Sequence, residues 1–234
     1  MAAVTTLILV YASRRTELPD AGSEDRSLLA AARAQWPVIL TGIVFVGSAG
    51  FLWNGLFNLY GDYLEVAKGI DPETGRLLLS LMFAAGVPAF FLTGMLADRV
   101  PNVPLLLAIV VSFALSVVAL TLVEGVLAIA GVSLLVGYSI HSLFPAIDTY
   151  TLSALPDRHR ASAYATFSAT MMSIQALGSG TIGLAVSRGF SYTPLFRGLA
   201  AGVVVVSAVM VGLYRAELLP SGGAPGETPA ASAD

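Results

Sequence analysis

Residues 103–150 decide the fold, and they read VPLLLAIVVSFALSVVALTLVEGVLAIAGVSLLVGYSIHSLFPAIDTY. Their only acidic residues are Glu124 and Asp148, and they contain no lysine or arginine. A transmembrane helix needs about 20 consecutive, mostly apolar residues to cross the hydrocarbon layer of a bilayer. The segments 103–123 and 126–150 both meet this requirement, so they are predicted to span a membrane. Only Glu124 and Gly125 separate them, which predicts a tight hairpin.

The same pattern continues on both sides of this stretch. Four further segments are long and apolar enough to span, at 37–60, 77–97, 161–187 and 194–214. Strands of a membrane barrel would be shorter and would alternate apolar with polar residues, which these segments do not. We therefore predict an all-α integral membrane protein, a bundle of six transmembrane helices.

Composition supports a lipid environment. Of the 234 residues, 56% are hydrophobic and 12% charged, and the mean hydropathy is +0.80. A soluble domain carries about 25% charged residues. The net charge of −3, without a basic block, argues against nucleic acid as a partner. The absence of cysteine excludes disulfides, thiolate metal sites and cysteine nucleophiles, and nothing predicts a cofactor.

The ends of the chain differ from its centre. Residues 1–15 begin with a short apolar run that precedes Arg14 and Arg15. Twelve helical residues reach only about 18 Å, so we expect the tail of a truncated transmembrane helix, with an unusual leader or a surface-lying segment as alternatives. Residues 16–36 are predicted to be a cytoplasmic linker, 37–214 the six-helix lobe, and 215–234 a disordered cytoplasmic tail.

The basic residues predict the orientation. The six predicted spans place successive loops on alternate sides of the membrane. Eight of the basic residues then fall on one side and four on the other. The side with the larger number faces the cytoplasm in most membrane proteins, which places both termini there. The eight are Arg14, Arg15, Arg26, Arg33, Arg99, Arg158, Arg160 and Arg215; the four are Lys68, Arg76, Arg188 and Arg197.

Several short motifs occur in a fixed order along the spans. Residues 94–99 read GMLADR after the second span, and residues 155–161 read LPDRHRA before the fifth. The first span contains GFLWNGL at 50–56 and YGDYL at 60–64, and the fifth contains ALGSGTIG at 176–183. In order and spacing these motifs resemble those of the major facilitator superfamily, a family of transporters. The resemblance covers helices seven to twelve and the end of helix six.

This resemblance implies one lobe of a two-lobed transporter that moves a small solute by alternating access, either actively or by facilitated diffusion, in the plasma membrane. Such a lobe needs a counterpart, which is either a missing N-terminal half or a second copy. In GMLADR, Gly94 is expected to allow close backbone approach, and Asp98 and Arg99 to belong to a gate that stays incomplete in this chain. The residues after Arg99, VPNVP, depart from the family pattern.

Polar residues at membrane depth are the candidate substrate-binding residues, because burying them in lipid is costly. His141 and Gln175 lie near the centres of their spans, where transporter sites usually form. Asn54 and Asn58 are four residues apart and share a helical face, and Tyr138 is a further candidate. The alternatives are a histidine bonded to a neighbouring helix and a glutamine that serves helix packing.

Asp148 lies near the cytoplasmic end of its span, seven residues from His141 and on nearly the same face. One hypothesis is an inner-gate salt bridge from Asp148 to Arg158 or Arg160. The alternative is a carboxylate that reaches the membrane surface.

Two other functions remain open at this point. A non-transporting membrane subunit or a truncated gene product would show the same six spans. An intramembrane enzyme is a remote alternative, since Ser139 and His141 are two residues apart and do not face each other on a helix. The identity of the substrate is not encoded in any recognisable pattern.

Overall fold

The computed structural model of this chain describes residues 27–220. In this range each predicted apolar segment coincides with a helical span, and the six spans are long and apolar enough to cross a membrane. The predicted all-α membrane fold with six spans is therefore confirmed. The helices are α1 (Leu28–Ala34), α2 (Trp36–Lys68), α3 (Pro72–Ala84), α4 (Gly86–Ala97), α5 (Asn102–Leu122), α6 (Val126–Ala154), α7 (Asp157–Ser187) and α8 (Tyr192–Arg215).

The expectations for residues 1–15 and for most of the C-terminal tail lie outside the described residues. The predicted linker is only partly covered, and there it contains α1. Ser27 caps this helix by accepting a hydrogen bond from the backbone of Ala30 at 3.2 Å. Ala31 is buried, and α1 packs against α7. The end of the linker is therefore ordered against the lobe, because its alanine-rich sequence favours a helix that has one face to bury.

The second span is interrupted, which the sequence analysis did not predict. Helices α3 and α4 form one span, Pro72–Ala97, with a break at Ala85. Pro88 has no backbone N–H, so it cannot donate to the carbonyl of Ala84, and this loss weakens the helix at that turn. By contrast, α6 continues through Pro145.

Helix α2 extends to Lys68, eight residues beyond its predicted end at residue 60. Tyr63 and Leu64 are buried in this extension, so tertiary packing supports it beyond the apolar segment. The helix ends at Gly69, which has a left-handed backbone with φ of 63°. The backbone N–H of Ile70 then bonds to the carbonyl of Leu64, a closure that a glycine makes readily.

Two glycines allow the helices of the lobe to approach closely. At Gly178 on α7, a Cβ atom would lie 2.1 Å from the carbonyl oxygen of Phe51 on α2. At Gly137 on α6, it would lie 1.9 Å from the carbonyl oxygen of Met82 on α3. Helices α2 and α7 thus form one tight pair, and α3 and α6 another, while α5 packs against α6 and α8.

Three other glycines of the motifs GMLADR and ALGSGTIG do not have this role within the described lobe. No described atom lies within 4 Å of an ideal Cβ at Gly94, Gly180 or Gly183. The expectation of close backbone approach at Gly94 is therefore wrong for contacts inside residues 27–220. A small residue in a membrane helix marks close packing only when it faces another helix, and the sequence does not show which way it faces.

At the predicted outer side, three side chains satisfy the last carbonyl groups of α5. Tyr63 donates to the carbonyl of Leu120, and Arg197 donates to both oxygens of Thr121. The ammonium group of Lys68 donates to the carbonyls of Thr121 and Val123 at 3.2 and 2.8 Å. Cations are stabilising at a helix C-terminus, where carbonyl groups lack partners within the helix.

We expect Lys68→Met to destabilise the lobe strongly. The Lys68 side chain is only 3% exposed and also pairs with Glu124 at 2.8 Å. Its removal leaves the carbonyl of the half-buried Val123 without a side-chain donor and takes away one of the two donors to the carbonyl of Thr121, at a cost of roughly 2 kcal/mol. The thermal unfolding midpoint of the purified protein in detergent should fall. Glu124→Gln is the matched control: because that side chain is 73% exposed, the loss of its ion pair should have little effect. Equal midpoints for Lys68→Met and Glu124→Gln would contradict this role.

Candidate functional site

One face of α6 carries three of the predicted site residues. Its exposed or half-buried positions recur every three to four residues, the spacing of a single helical face. They are Leu134, Tyr138, His141, Pro145 and Asp148. The buried positions of the helix, among them Ile140 and Ile147, belong to the core of the lobe. Three predicted residues, Tyr138, His141 and Asp148, therefore share one surface.

His141 lies among aromatic rings from three helical spans. Its ring centroid is 5.8 Å from that of Trp53 on α2 and 5.5 Å from that of Phe83 on α3. Phe90 on α4 and Phe144 on α6 lie at 6.2 and 6.4 Å. Edge-to-face contacts of this kind bring the positive edge of one ring to the negative face of another. We call this group, with Phe57, the aromatic cluster: Trp53, Phe57, Phe83, Phe90, His141 and Phe144.

Two backbone features hold the imidazole of His141 in place. Nδ1 lies 2.6 Å from the carbonyl oxygen of Gly137. The ring also lies over Gly86, where a Cβ atom would be 2.9 Å from the ring carbons. Gly86 begins α4 directly after the break in the second span, so the break makes room for the histidine. The alternative interpretation, a histidine bonded to a neighbouring helix, does not describe this geometry, because the bond is within α6.

Asn54 and Asn58 contact each other, as their spacing predicts. The side-chain N–H of Asn58 donates to the backbone carbonyl of Asn54 at 2.8 Å and to its side-chain oxygen at 3.2 Å. Asn58 is exposed and Asn54 half-buried. The pair thus offers amide groups at the surface of α2, and each asparagine directly follows a member of the aromatic cluster, Trp53 or Phe57.

Gln175 occupies a different environment from the other candidates. Its side chain covers Gly50 on α2, where a Cβ atom would lie 2.5 Å from the amide carbon. Gln175 therefore fills the space between α2 and α7. This position favours the interpretation of Gln175 as a packing residue over that of a substrate ligand.

Asp148 is bonded to a residue that the sequence analysis missed. The hydroxyl group of Tyr164 on α7 donates to its carboxylate at 2.7 Å. The hypothetical salt bridge from Asp148 to Arg158 or Arg160 is not formed. Arg160 instead pairs with Asp157 at 2.6 Å and donates to the carbonyl of Leu155. Those local partners are three and five residues away, so they require less ordering of the chain than a bond to α6.

The GMLADR segment lies at the surface of the lobe. Asp98 and Arg99 are exposed at the end of α4, and Arg158 is exposed at the start of α7. The carboxylate of Asp98 forms no hydrogen bond or ion pair with another residue between 27 and 220. This agrees with the expectation of an incomplete gate, which remains a prediction.

The missed residues are mostly aromatic. Phe83, Phe90 and Phe144 have the apolar character of any membrane-helix residue, so composition does not distinguish them. Tyr164 has a polar group on an apolar ring, and its hydroxyl needs a partner when buried. That requirement was the one signal in the sequence that pointed to it.

The fold defines the class of protein: a multi-pass membrane protein whose described residues form a bundle with six helical spans. The family model described as Major Facilitator Superfamily matches residues 40–233. The chain belongs to this superfamily, and it is a transporter of that class. None of the curated proteins that were compared matches the sequence.

Proposed function

We propose that this lobe forms one wall of a solute pathway that works by alternating access, in active or facilitated transport. The observation that carries the proposal is the surface around the aromatic cluster, where α2 and α6 meet through Trp53 and His141. It presents Asn54, Asn58, Tyr138, His141 and Asp148 instead of the purely apolar side chains that lipid favours. Polar groups at membrane depth usually face a bundle interior or a water-filled cavity.

Within residues 27–220, no helix stands opposite this surface. We propose that a second lobe covers it, supplied by a longer chain, by a separate subunit or by a second copy. In alternating access, two such lobes rock around a site between them. Asp98, exposed at the predicted cytoplasmic end, would then pair across the lobe interface.

The source of the second lobe can be determined from the gene. We would sequence the DNA upstream of the codon for Met1. About six further apolar segments in frame, with a second G-x-x-x-D-R motif, would support a longer transporter. A stop codon and a promoter there would leave a two-gene or homodimeric assembly, or the non-transporting subunit, as the explanation.

Transport itself is tested in proteoliposomes that contain the protein as it is purified from its membrane. Uptake of a panel of labelled solutes is compared with uptake by empty liposomes. We expect saturable uptake of at least one solute. The double variant that combines Asn54→Ala and Asn58→Ala should show a markedly lower rate of uptake. Ser112→Ala is the matched control, because Ser112 is exposed on α5, away from this surface. If no solute enters above the level of empty liposomes, the transport proposal is wrong and the alternative of a non-transporting membrane subunit is supported.

We also propose a plasma-membrane location with both termini in the cytoplasm. Because the chain has no cysteine, single cysteines report the orientation directly. Glu65→Cys lies on the predicted outer side and Arg158→Cys on the predicted inner side, and both positions are exposed. A membrane-impermeant maleimide added to intact cells should label Glu65→Cys alone. The reverse pattern would invert the topology.

A further inference from the structure

The aromatic cluster is a binding site in its own right, and we propose that it takes a protonated organic amine with an aromatic or apolar body. The inference rests on the proposed transport function, because it names the class of substrate.

The rings form an incomplete cage. Trp53 is buried, whereas Phe83 and Phe90 are 43% and 48% exposed, so the cluster has a closed floor and an open side. Phe90 stacks on Phe144 with centroids 6.0 Å apart and an angle of 6° between the planes. Aromatic faces carry a negative quadrupole and attract cations, above all where water is excluded.

The hydrogen bonding of His141 supplies an acceptor inside this cage. The carbonyl oxygen of Gly137 can only accept a hydrogen bond, so Nδ1 must carry the proton. In the neutral imidazole, Nε2 is then an acceptor. Nε2 forms no hydrogen bond with any other residue in the range 27–220. An ammonium N–H could donate to Nε2 while its body lies against the rings.

The charges near the cluster favour a cation over an anion. The helices that carry the cluster contain two basic residues: Arg76, exposed on α3 and seven residues from Phe83, and Lys68, at the end of α2 and fifteen residues from Trp53. That separation is roughly 22 Å along the helix. Asp148 lies on the same face of α6 as His141, about 10 Å further along the helix toward its predicted cytoplasmic end. The carboxylate attracts a cation across a medium of low dielectric, where charges interact over longer distances than in water.

The test uses the fluorescence of Trp53. The chain contains two tryptophans, Trp36 and Trp53, so Trp36→Phe leaves the one in the cluster as the only reporter. The purified protein is titrated at one pH with three probes: imipramine, which is a protonated amine; its quaternary N-methyl derivative; and the lipophilic anion tetraphenylborate. We expect saturable quenching by imipramine, weaker binding of the quaternary derivative, and no saturable quenching by tetraphenylborate.

Two neighbouring phenylalanines provide a matched pair of variants. Phe90→Leu removes a ring of the cluster and should weaken imipramine binding about tenfold. Phe91→Leu removes a ring that is 69% exposed and forms no ring contact within the described residues, so binding should be unchanged. His141→Phe keeps an aromatic ring and removes the acceptor. It should weaken the binding of imipramine and leave the binding of the quaternary derivative unchanged. Thermal unfolding of each variant verifies that it is folded.

The outcomes separate this inference from the transport proposal. The amine site would be overturned if tetraphenylborate gave saturable quenching equal to that by imipramine. It would also be overturned if Phe90→Leu and Phe91→Leu lost the same amount of imipramine affinity. Uptake of some other solute by a protein that does not bind imipramine would also overturn it and would leave transport standing. Binding of imipramine with no solute uptake would support the site and overturn transport.

Discussion

Gly137→Ala is expected to destabilise the lobe more than any other single methyl group added to it. The new Cβ atom would lie 1.9 Å from the carbonyl oxygen of Met82 and 2.7 Å from its carbonyl carbon. Both atoms belong to the backbone of α3, so no side-chain rotation can relieve the clash. The helices must separate, and overpacking of this kind costs roughly 3 kcal/mol. The measurement is the thermal unfolding midpoint of the purified protein in detergent.

Gly131→Ala is the matched control on the same helix. No described atom lies within 4 Å of a Cβ at Gly131, and the position is exposed. Alanine favours a helix over glycine by about 1 kcal/mol, so the two substitutions should shift the midpoint in opposite directions. A Gly137→Ala protein as stable as Gly131→Ala would mean that α3 and α6 do not approach as closely as described. His141 should also be displaced in Gly137→Ala, because its Nδ1 bonds to the carbonyl of residue 137.

The fold was predictable because lipid imposes a simple requirement on the sequence. Every spanning segment must satisfy its own backbone and be about 20 apolar residues long. The span at 103–123 therefore coincides with Asn102–Leu122 almost to the residue. The predictions failed where other forces act: tertiary burial of Tyr63 and Leu64 extends α2, and Pro88 divides the second span.

The site was less predictable, because it depends on which way each side chain points. Helical spacing placed His141 and Asp148 on one face, since that relation is local. It could not show that Tyr164, sixteen residues from Asp148, would be its hydrogen-bond partner. Helical spacing also could not show that Phe90 contacts His141 and Phe91 does not. Both are phenylalanines at neighbouring positions of the same span. Pairing between helices is a tertiary property, and one sequence gives little information about it.

Asp148→Asn should lower the transport rate at least about tenfold, which corresponds to about 1.4 kcal/mol in the barrier. The substitution removes the charge and keeps a side-chain oxygen that can still accept the hydrogen bond from Tyr164. The link between α6 and α7 is thereby retained, so a lower rate reports the charge alone. A carboxylate is costly at membrane depth, and its presence on the proposed substrate-facing surface indicates a role in gating or in attracting a cation. The measurement is initial uptake in proteoliposomes at several pH values, normalised to the amount of protein.

Two variants decide whether the charge or the hydrogen bond matters. Tyr164→Phe breaks the 2.7 Å bond and keeps the charge, so its rate should fall much less than that of Asp148→Asn. Asp157→Asn makes the same substitution at a carboxylate whose side chain is 87% exposed and which pairs only with Arg160 among the described residues; its uptake should be unchanged. If Asp148→Asn and Tyr164→Phe lower the transport rate equally, the lower rate is due to loss of the link between α6 and α7. An Asp148→Asn protein with an unchanged rate and pH profile would remove Asp148 from the mechanism, because a charge that contributes to the barrier cannot be neutralised without changing the rate.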